Sequence, residues 1–226
     1  MSAVDREPQA SATIVVVRDG EPGLEVLLLE RVRREPGKKG PSVFPGGRVE
    51  EADLAGRPLD DAAHRQAAVR EAREEAGLVL LPERLVTLSR WITPEIAPRR
   101  FDTWFYLADV EPDAPVTVDG EEIGHHRWLA PTAALAAHHD RVIQLAPPTF
   151  VTVSWLEGLE TTRHAHDVLG PAPVPEFRPH ICPRPEGHCM LYPGDAGYET
   201  HDPDASGPRH RLWALPEGWR YERDPA

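Results

Sequence analysis

Three glutamates in one short stretch constrain this chain more than any other feature of its sequence. Glu71, Glu74 and Glu75 stand at positions i, i+3 and i+4, so a helix presents all three carboxylates on one face. Like charges at this spacing repel, and a purely structural helix would be expected to intersperse lysines. A hard divalent cation offsets that repulsion, because it prefers carboxylate and carbonyl oxygens. The pattern predicts a metal-binding face, with a solvated acidic helix as the alternative.

The neighbouring residues predict where this helix begins and ends. Asp60 and Asp61 precede an alanine-rich run and are typical of a helix start. Gly77 stands where helices commonly end in a left-handed residue. The apolar residues 78–81 that follow predict a short strand.

Two further features favour a metal site. Residues 42–44 predict a strand that leads into the turn Pro45-Gly46-Gly47. A glycine lets the backbone approach a ligand closely, so the Gly46 carbonyl is a candidate metal ligand. Arg70 directly precedes the glutamates and can hold a carboxylate through two parallel hydrogen bonds. We therefore group Arg70 with the three glutamates as candidate catalytic residues.

Residues 44–78 resemble the Nudix box, which reads glycine, five residues, glutamate, seven residues and then REUxEExGU, with U apolar. Gly47 supplies the glycine and residues 70–78 supply the final part. Asp53 stands at the first glutamate, and 16 residues separate it from Arg70. The added residues contain a glycine and a proline, which predicts a loop. The resemblance implies a mainly structural role for the first acid.

The resemblance extends through residues 87–110, 121–135 and 143–156, which are similar to a Nudix subfamily that includes a peroxisomal coenzyme A diphosphatase. It implies an α/β protein, a Nudix α/β/α sandwich with a mixed sheet between helices. We assign residues 10–165 to this domain. Residues 166–226 are rich in proline and aromatic side chains, which predicts a proline-rich linker and a C-terminal β arm built as an aromatic hairpin.

The resemblance also implies a reaction, the hydrolysis of a diphosphate joined to another moiety with Mg²⁺ or Mn²⁺ as cofactor. Glu121 and Glu122 stand where many Nudix enzymes carry an additional acid that binds metal or takes a proton from the attacking water. We favour Glu122 for this role. Coenzyme A or an acyl derivative is the substrate that the subfamily favours. Other nucleotide substrates, such as dinucleotide cofactors or nucleotide sugars, and a non-catalytic nucleotide-sensing module are the alternatives.

Two groups of basic residues are candidates for substrate binding. The first, a cluster that leads toward the Gly-Gly turn, is expected to collect phosphate, with a solvated loop as the alternative. It comprises Arg33, Arg34, Lys38 and Lys39. The second is the pair Arg99 and Arg100, which enters a predicted strand and is expected to contact substrate phosphate or adenine. Simple exposure is the alternative for this pair.

Composition limits the remaining possibilities. A net charge of −12 argues against a nucleic-acid partner, because phosphate binding requires a basic face. No apolar run reaches the ~20 residues of a membrane span, and the first residues lack signal-peptide character. Two cysteines fit a reduced, cytoplasmic protein. The late aromatic residues need to be covered, which favours packing or a homodimer through the C-terminal arm. They are Tyr192, Tyr198, Trp213, Trp219 and Tyr221.

Overall fold

The computed structural model describes residues 7–21, 23–32 and 40–224, which form twelve strands and five α-helices. The strands are β1 (Gln9–Asp19), β2 (Leu24–Arg31), β3 (Ser42–Val43), β4 (Gly46–Arg48), β5 (Val86–Ile92), β6 (Phe101–Asp109), β7 (Ile123–Leu129), β8 (Glu176–Phe177), β9 (His180–Arg184), β10 (Gly187–Leu191), β11 (His210–Leu215) and β12 (Gly218–Arg223). The helices are α1 (Glu51–Leu54), α2 (Asp61–Ala76), α3 (Pro131–His139), α4 (Pro147–Leu156) and α5 (Thr162–Leu169). None of these five helices is long and apolar enough to cross a membrane.

A mixed sheet of eight strands forms the centre of the fold, in the order β3-β2-β1-β6-β5-β8. Strand β1 pairs in parallel with β6 and antiparallel with β2, and β4 also pairs with β1. Strand β7 pairs with β2. The combination of parallel and antiparallel pairs confirms the predicted mixed sheet.

Helices cover both faces of this sheet. Alternate residues of a strand point to opposite faces, and β1 divides its side chains accordingly. Ile14 and Val16 pack against the alanines of α2 in one buried cluster. Val15 and Val17 pack in a second cluster with residues of α3, α4 and α5. This arrangement confirms the predicted layers, with the sheet between helices.

Helix α2 has the limits that the sequence predicts. The Asp60 side chain accepts a hydrogen bond from the Ala63 N–H at 2.9 Å and caps the first turn. Gly77 ends the helix in the left-handed region, with φ at 70°. The strand predicted for residues 78–81 is wrong, since they form no regular element. Leu78 is buried in the core there and Leu80 packs partly against it, whereas Val79 is 82% exposed.

A second sheet follows the main one in sequence. Strands β9 to β12 form a four-stranded antiparallel sheet in the order β12-β11-β10-β9, which replaces the simple hairpin that we expected. Met190, Tyr192 and Leu212 from this part of the chain belong to the same buried cluster as Val15. Phe177 precedes this sheet and stacks on Trp91 at 3.9 Å between ring centroids. The predicted division into two domains near residue 165 stays a prediction.

Candidate active site

A cleft of about 600 Å³ opens beside α2, β1 and β4. Among the described residues, seven carboxylates and three arginines line it: Glu50, Glu71, Glu74, Glu75, Asp119, Glu121, Glu122, Arg31, Arg48 and Arg70. Gly46 and Gly47 also line the cleft, and Ser11, Thr13, Phe101 and Thr103 of β1 and β6 complete it. The structure therefore brings the predicted acids, Arg70 and the Gly46 turn into one space.

Glu75 is the most buried acid of the predicted set, with its side chain 6% exposed. Its Oε2 accepts a hydrogen bond from the Gly46 N–H at 2.9 Å, and Arg31 Nη2 lies 3.7 Å from its Oε1. Burial raises the pKa of Glu75 to about 7, although the Gly46 N–H and Arg31 act in the opposite direction. The negative charges of Glu71 and Glu122 also raise it. The effect of burial and of the neighbouring acids on Glu75 therefore exceeds the opposing effect of Arg31 and the Gly46 N–H.

Gly47 is required by the position of Glu71. A Cβ atom built on Gly47 would lie 2.0 Å from Glu71 Oε1, closer than any real contact. Gly47 does not adopt a positive φ, so the constraint comes from the carboxylate rather than from the backbone conformation. Burial raises the pKa of Glu71, while its contact with Arg70 lowers it. The backbone of Gly47 in the turn thus packs directly against the Glu71 carboxylate of α2.

Arg70 organises three of the acids. Its Nε donates to Asp53 Oδ1 at 3.1 Å and its Nη2 to Asp53 Oδ2 at 3.0 Å, the paired hydrogen bonds that the sequence predicts for this residue. Its Nη1 lies 2.9 Å from both Glu71 Oε1 and Glu74 Oε2. Its Nη2 also donates to the Arg48 carbonyl at 2.8 Å. Arg70 therefore joins α2 to the segment that precedes it.

Asp53 has a structural position, as the resemblance implies. Its side chain is 4% exposed, and its Oδ2 accepts a hydrogen bond from the Glu50 N–H at 2.8 Å. Together with Glu50 it forms a reciprocal cap on α1. Ala55 and Gly56 then adopt positive φ values of 50° and 73°. The residues added between Asp53 and α2 thus leave the Arg70 contact intact.

Asp119 shapes the loop that carries Glu121 and Glu122. Its Oδ1 accepts hydrogen bonds from the N–H groups of Ile123, Glu121 and Glu122 at 3.0, 2.7 and 2.9 Å. These hydrogen bonds, with that of Ile123 the largest contribution, lower the pKa of Asp119. The sequence analysis missed this residue, although an aspartate before a glycine is a common turn signal.

The predicted basic residues have different outcomes. Arg33, Arg34, Lys38 and Lys39 lie outside the described residues. Arg99 is exposed, and Arg100 Nε donates to the Thr93 carbonyl at 3.2 Å. Both belong to the described part of the chain, and neither lines the carboxylate cleft. Arg31 and Arg48 do line it and were missed; the position of Arg31 at the end of β2, beside the basic cluster, is the signal that points to it.

The donor atoms of the cleft fit a hard divalent cation in type. Carboxylate oxygens and the Gly46 carbonyl are the ligands that Mg²⁺ and Mn²⁺ prefer. Their arrangement is not that of a ready site, because no three acidic, histidine or cysteine side chains in the described ranges converge on one point. Arg70 holds Glu71 and Glu74, and the Gly46 N–H holds Glu75. Metal binding there requires these acids to exchange their present partners for the cation.

Comparison with known proteins identifies the class. Residues 7–147 match the NUDIX domain family, and the chain belongs to this family. A NUDIX hydrolase from Alicyclobacillus acidocaldarius has the same fold, with a TM-score of 0.65 and 22% identity over 75% of this chain and 100% of that one. The predicted family, the Nudix hydrolase class and the sandwich fold are confirmed.

Two curated relatives are similar over longer stretches. The acyl-coenzyme A diphosphatase NUDT19 of Homo sapiens is 28% identical over 200 residues, which cover 65% of this chain and 53% of the relative. The protein of the same name from Gallus gallus is 28% identical over 228 residues, which cover 91% of this chain and 58% of the relative. The chain thus spans little more than half the length of either relative.

Proposed function

We propose that this protein hydrolyses a diphosphate that joins a nucleotide to another moiety, with Mg²⁺ or Mn²⁺ as cofactor. The observation that carries the proposal is the concentration of acids around the Gly46-Gly47 turn, with Glu75 buried among them. Seven carboxylates face three arginines among the described lining residues, so the cleft repels a polyanionic diphosphate unless cations accompany it. A metal-dependent reaction resolves that conflict.

The residues of the chain have distinct parts in this reaction. A bound divalent cation supplies charge neutralisation on the phosphates and a lower pKa for an attacking water. Glu71, Glu74, Glu75 and the Gly46 carbonyl would hold it. Arg70 positions Glu71 and Glu74 before the cation binds, and these two acids would then exchange Arg70 for the cation. Glu122 accepts the proton of the attacking water, and its negative charge already acts on Glu75. Arg31, 45% exposed at the edge of the cleft, is available to bind a substrate phosphate.

Coenzyme A or an acyl-coenzyme A is the substrate that we propose. Two relatives carry the name acyl-coenzyme A diphosphatase, and the subfamily resemblance includes β6, whose Phe101 and Thr103 line the cleft. The basic cluster of Arg33, Arg34, Lys38 and Lys39 precedes the Gly-Gly turn and remains the predicted partner of additional phosphate charge, together with Arg99 or Arg100. Hydrolysis of a dinucleotide cofactor or nucleotide sugar is the second candidate, and a non-catalytic nucleotide sensor is the third.

A cytoplasmic location and a homodimer through the C-terminal sheet also stay predictions. The two cysteines are free, which agrees with a reducing compartment. The case for the dimer is weaker than the sequence suggested, because the chain covers its own late aromatic residues. Tyr192 is fully buried, and the other four are half-buried.

Turnover of a substrate panel tests the proposal. The panel contains coenzyme A, acyl-coenzyme A, a dinucleotide cofactor and a nucleotide sugar, each with Mg²⁺, Mn²⁺ or EDTA, and mass spectrometry identifies the products. We expect a phosphopantetheine product from coenzyme A, in the presence of a divalent cation only. Turnover of the other substrates alone would replace the coenzyme A assignment. Tight nucleotide binding without any turnover would support the sensor and overturn the enzyme.

A further inference from the structure

A second cavity of about 540 Å³ adjoins the carboxylate cleft. The two share five lining residues, so they meet along a common border: Thr13, Arg31, Gly46, Phe101 and Thr103. The character of the walls changes at this border. Beyond it the described lining residues are mainly aromatic and aliphatic, with Thr93 and Thr149 as polar exceptions. Arg31 at the border is the one charged residue among the described residues that line the second cavity. We call this space the apolar cavity.

Three parts of the fold build the apolar cavity. The main sheet contributes aromatic residues such as Phe105 and Trp91, and the first turn of α4 contributes Pro147. The third part is the C-terminal sheet, which contributes Ile181 from β9 and Met190 from β10. This sheet lies beyond residues 7–147, the part that matches the NUDIX domain family.

Ile181 and Met190 form a directly opposed cross-strand pair. Met190 is 7% exposed and belongs to the buried core, whereas Ile181 remains 39% exposed although it is a large apolar side chain. Exposed apolar residues scattered singly need no explanation, but this one lines a cavity with other apolar walls. Ile181 therefore offers apolar contact area that the folded chain leaves uncovered.

We infer that the C-terminal sheet forms one wall of a binding site for the apolar end of the substrate, with Ile181 as a specificity-determining contact. The inference rests on the proposed function and deepens it. A substrate whose diphosphate lies among the carboxylates reaches the apolar cavity across the shared border. Its remaining moiety must then be a flexible, mainly uncharged chain, such as a pantetheine arm that ends in an acyl group, because a charged or hydroxyl-rich moiety would lose its hydration there without new partners.

A chain-length series provides the test. The kcat/KM of the wild type is measured for coenzyme A and for acyl-coenzyme A thioesters of increasing length. Each methylene buried in the apolar cavity raises kcat/KM by about threefold to fourfold, until the cavity is filled. A flat series would overturn the inference and leave the proposed function standing. The absence of turnover with every thioester and with coenzyme A would overturn the coenzyme A assignment and this inference together.

Variants at position 181 assign the effect to the C-terminal sheet. Ile181→Asp lowers the ratio of kcat/KM for a medium-chain thioester to that for coenzyme A by about tenfold, mainly through KM. Ile181→Thr keeps the β-branched shape and shows a smaller shift of the same sign, which secures the test if the aspartate variant unfolds. Val79→Asp is the matched control, since Val79 is 82% exposed and lines neither cavity. An unchanged ratio in a folded Ile181→Thr variant, or an equal shift in the control, would overturn the role of this wall.

Discussion

Arg70 holds Asp53 through two hydrogen bonds, Nε to Oδ1 at 3.1 Å and Nη2 to Oδ2 at 3.0 Å, across 17 positions of sequence. The same guanidinium contacts Glu71 and Glu74. One arginine thus connects the cap of α1 with the acidic face of α2. The Arg70–Asp53 contact therefore helps to position the acidic face, although neither residue is a candidate metal ligand.

We expect Asp53→Asn to lower the free energy of unfolding by about 2 kcal/mol, because it leaves Arg70 without its buried counter-charge. Urea denaturation measures this change. Asp167→Asn is the control, since Asp167 lies 3.8 Å from Arg163 in an exposed pair and should cost no more than about 0.5 kcal/mol. Equal effects of the two variants would mean that the Arg70 contact contributes little to stability.

Glu75→Gln should reduce kcat by orders of magnitude at saturating Mg²⁺ while the protein remains folded. Glutamine retains an oxygen to accept the Gly46 N–H but lacks the charge that a cation requires. Steady-state kinetics and circular dichroism provide the measurements. Glu83→Gln, at an exposed position that does not line the cleft, should remain at the wild-type rate. A Glu75→Gln enzyme of nearly normal activity would remove this residue from the metal site.

Glu122→Gln should lower kcat more than it changes KM, because a general base or a metal ligand in the transition state acts on the chemical step. Glu121→Gln should have a smaller effect, since Glu122 rather than Glu121 is among the charges that raise the pKa of Glu75. The two kinetic constants of each variant decide the matter. The reverse order would transfer the role to Glu121, and two silent variants would exclude the loop from the chemistry.

Asp119→Ala should lower kcat through the position of this loop rather than through a lost reacting group. Its Oδ1 accepts three backbone N–H groups, and alanine leaves all of them without that acceptor. Asp119→Asn retains an acceptor oxygen and should restore most of the activity, which a role in proton transfer would not allow. The kcat values of the two variants, with their KM values, make the distinction.

Phe177→Ala should lower the free energy of unfolding by about 3–5 kcal/mol, because the ring is fully buried and stacks on Trp91. Val174→Ala is the control at a 44% exposed position and should remain within about 0.5 kcal/mol of the wild type.

We also expect one cooperative transition for the whole chain, because both sheets contribute to one buried cluster. Two separate transitions would instead support an independent domain boundary near residue 165.

Local signals in the sequence predicted the parts of the structure that depend on neighbours along the chain. Helix α2 was predicted from its alanine-rich run, its aspartate cap and its terminal glycine. The strand expected at residues 78–81 is absent because apolar composition does not supply a pairing partner, and these residues belong to neither sheet. The C-terminal sheet has more strands than the expected hairpin. Strand β9 contains a proline and polar residues, which give no strand signal in the sequence. The pairing of β9 with β10 determines the conformation of β9.

The residues of the candidate site also fall into two groups, those that local spacing predicts and those that only tertiary packing brings together. The acids of α2 share one helix face, so their spacing alone brought them together. The position of Arg31 depends on how β2 lies beside β4, and that of Ile181 depends on how β9 of the C-terminal sheet lies beside the main sheet. Tertiary packing determines such contacts. The basic cluster beside Arg31 indicates positive charge there but not the contact with Glu75, and Ile181 has no local signal in the sequence. Arg99 and Arg100 were predicted as substrate contacts from their charge alone. The sequence does not show which way the two side chains point, and neither of them lines the cleft.

The fit between Gly47 and Glu71 has an evolutionary consequence. A side chain at position 47 would occupy the volume of the Glu71 carboxylate, so any residue larger than glycine would push that carboxylate out of its present position. We therefore expect substitutions at the two positions to be coupled. If a related sequence lost the acid at position 71, the steric constraint on position 47 would be removed, and the turn would accept larger residues. Paired loss at these two positions is thus a mark by which descendants that no longer carry out the reaction become recognisable.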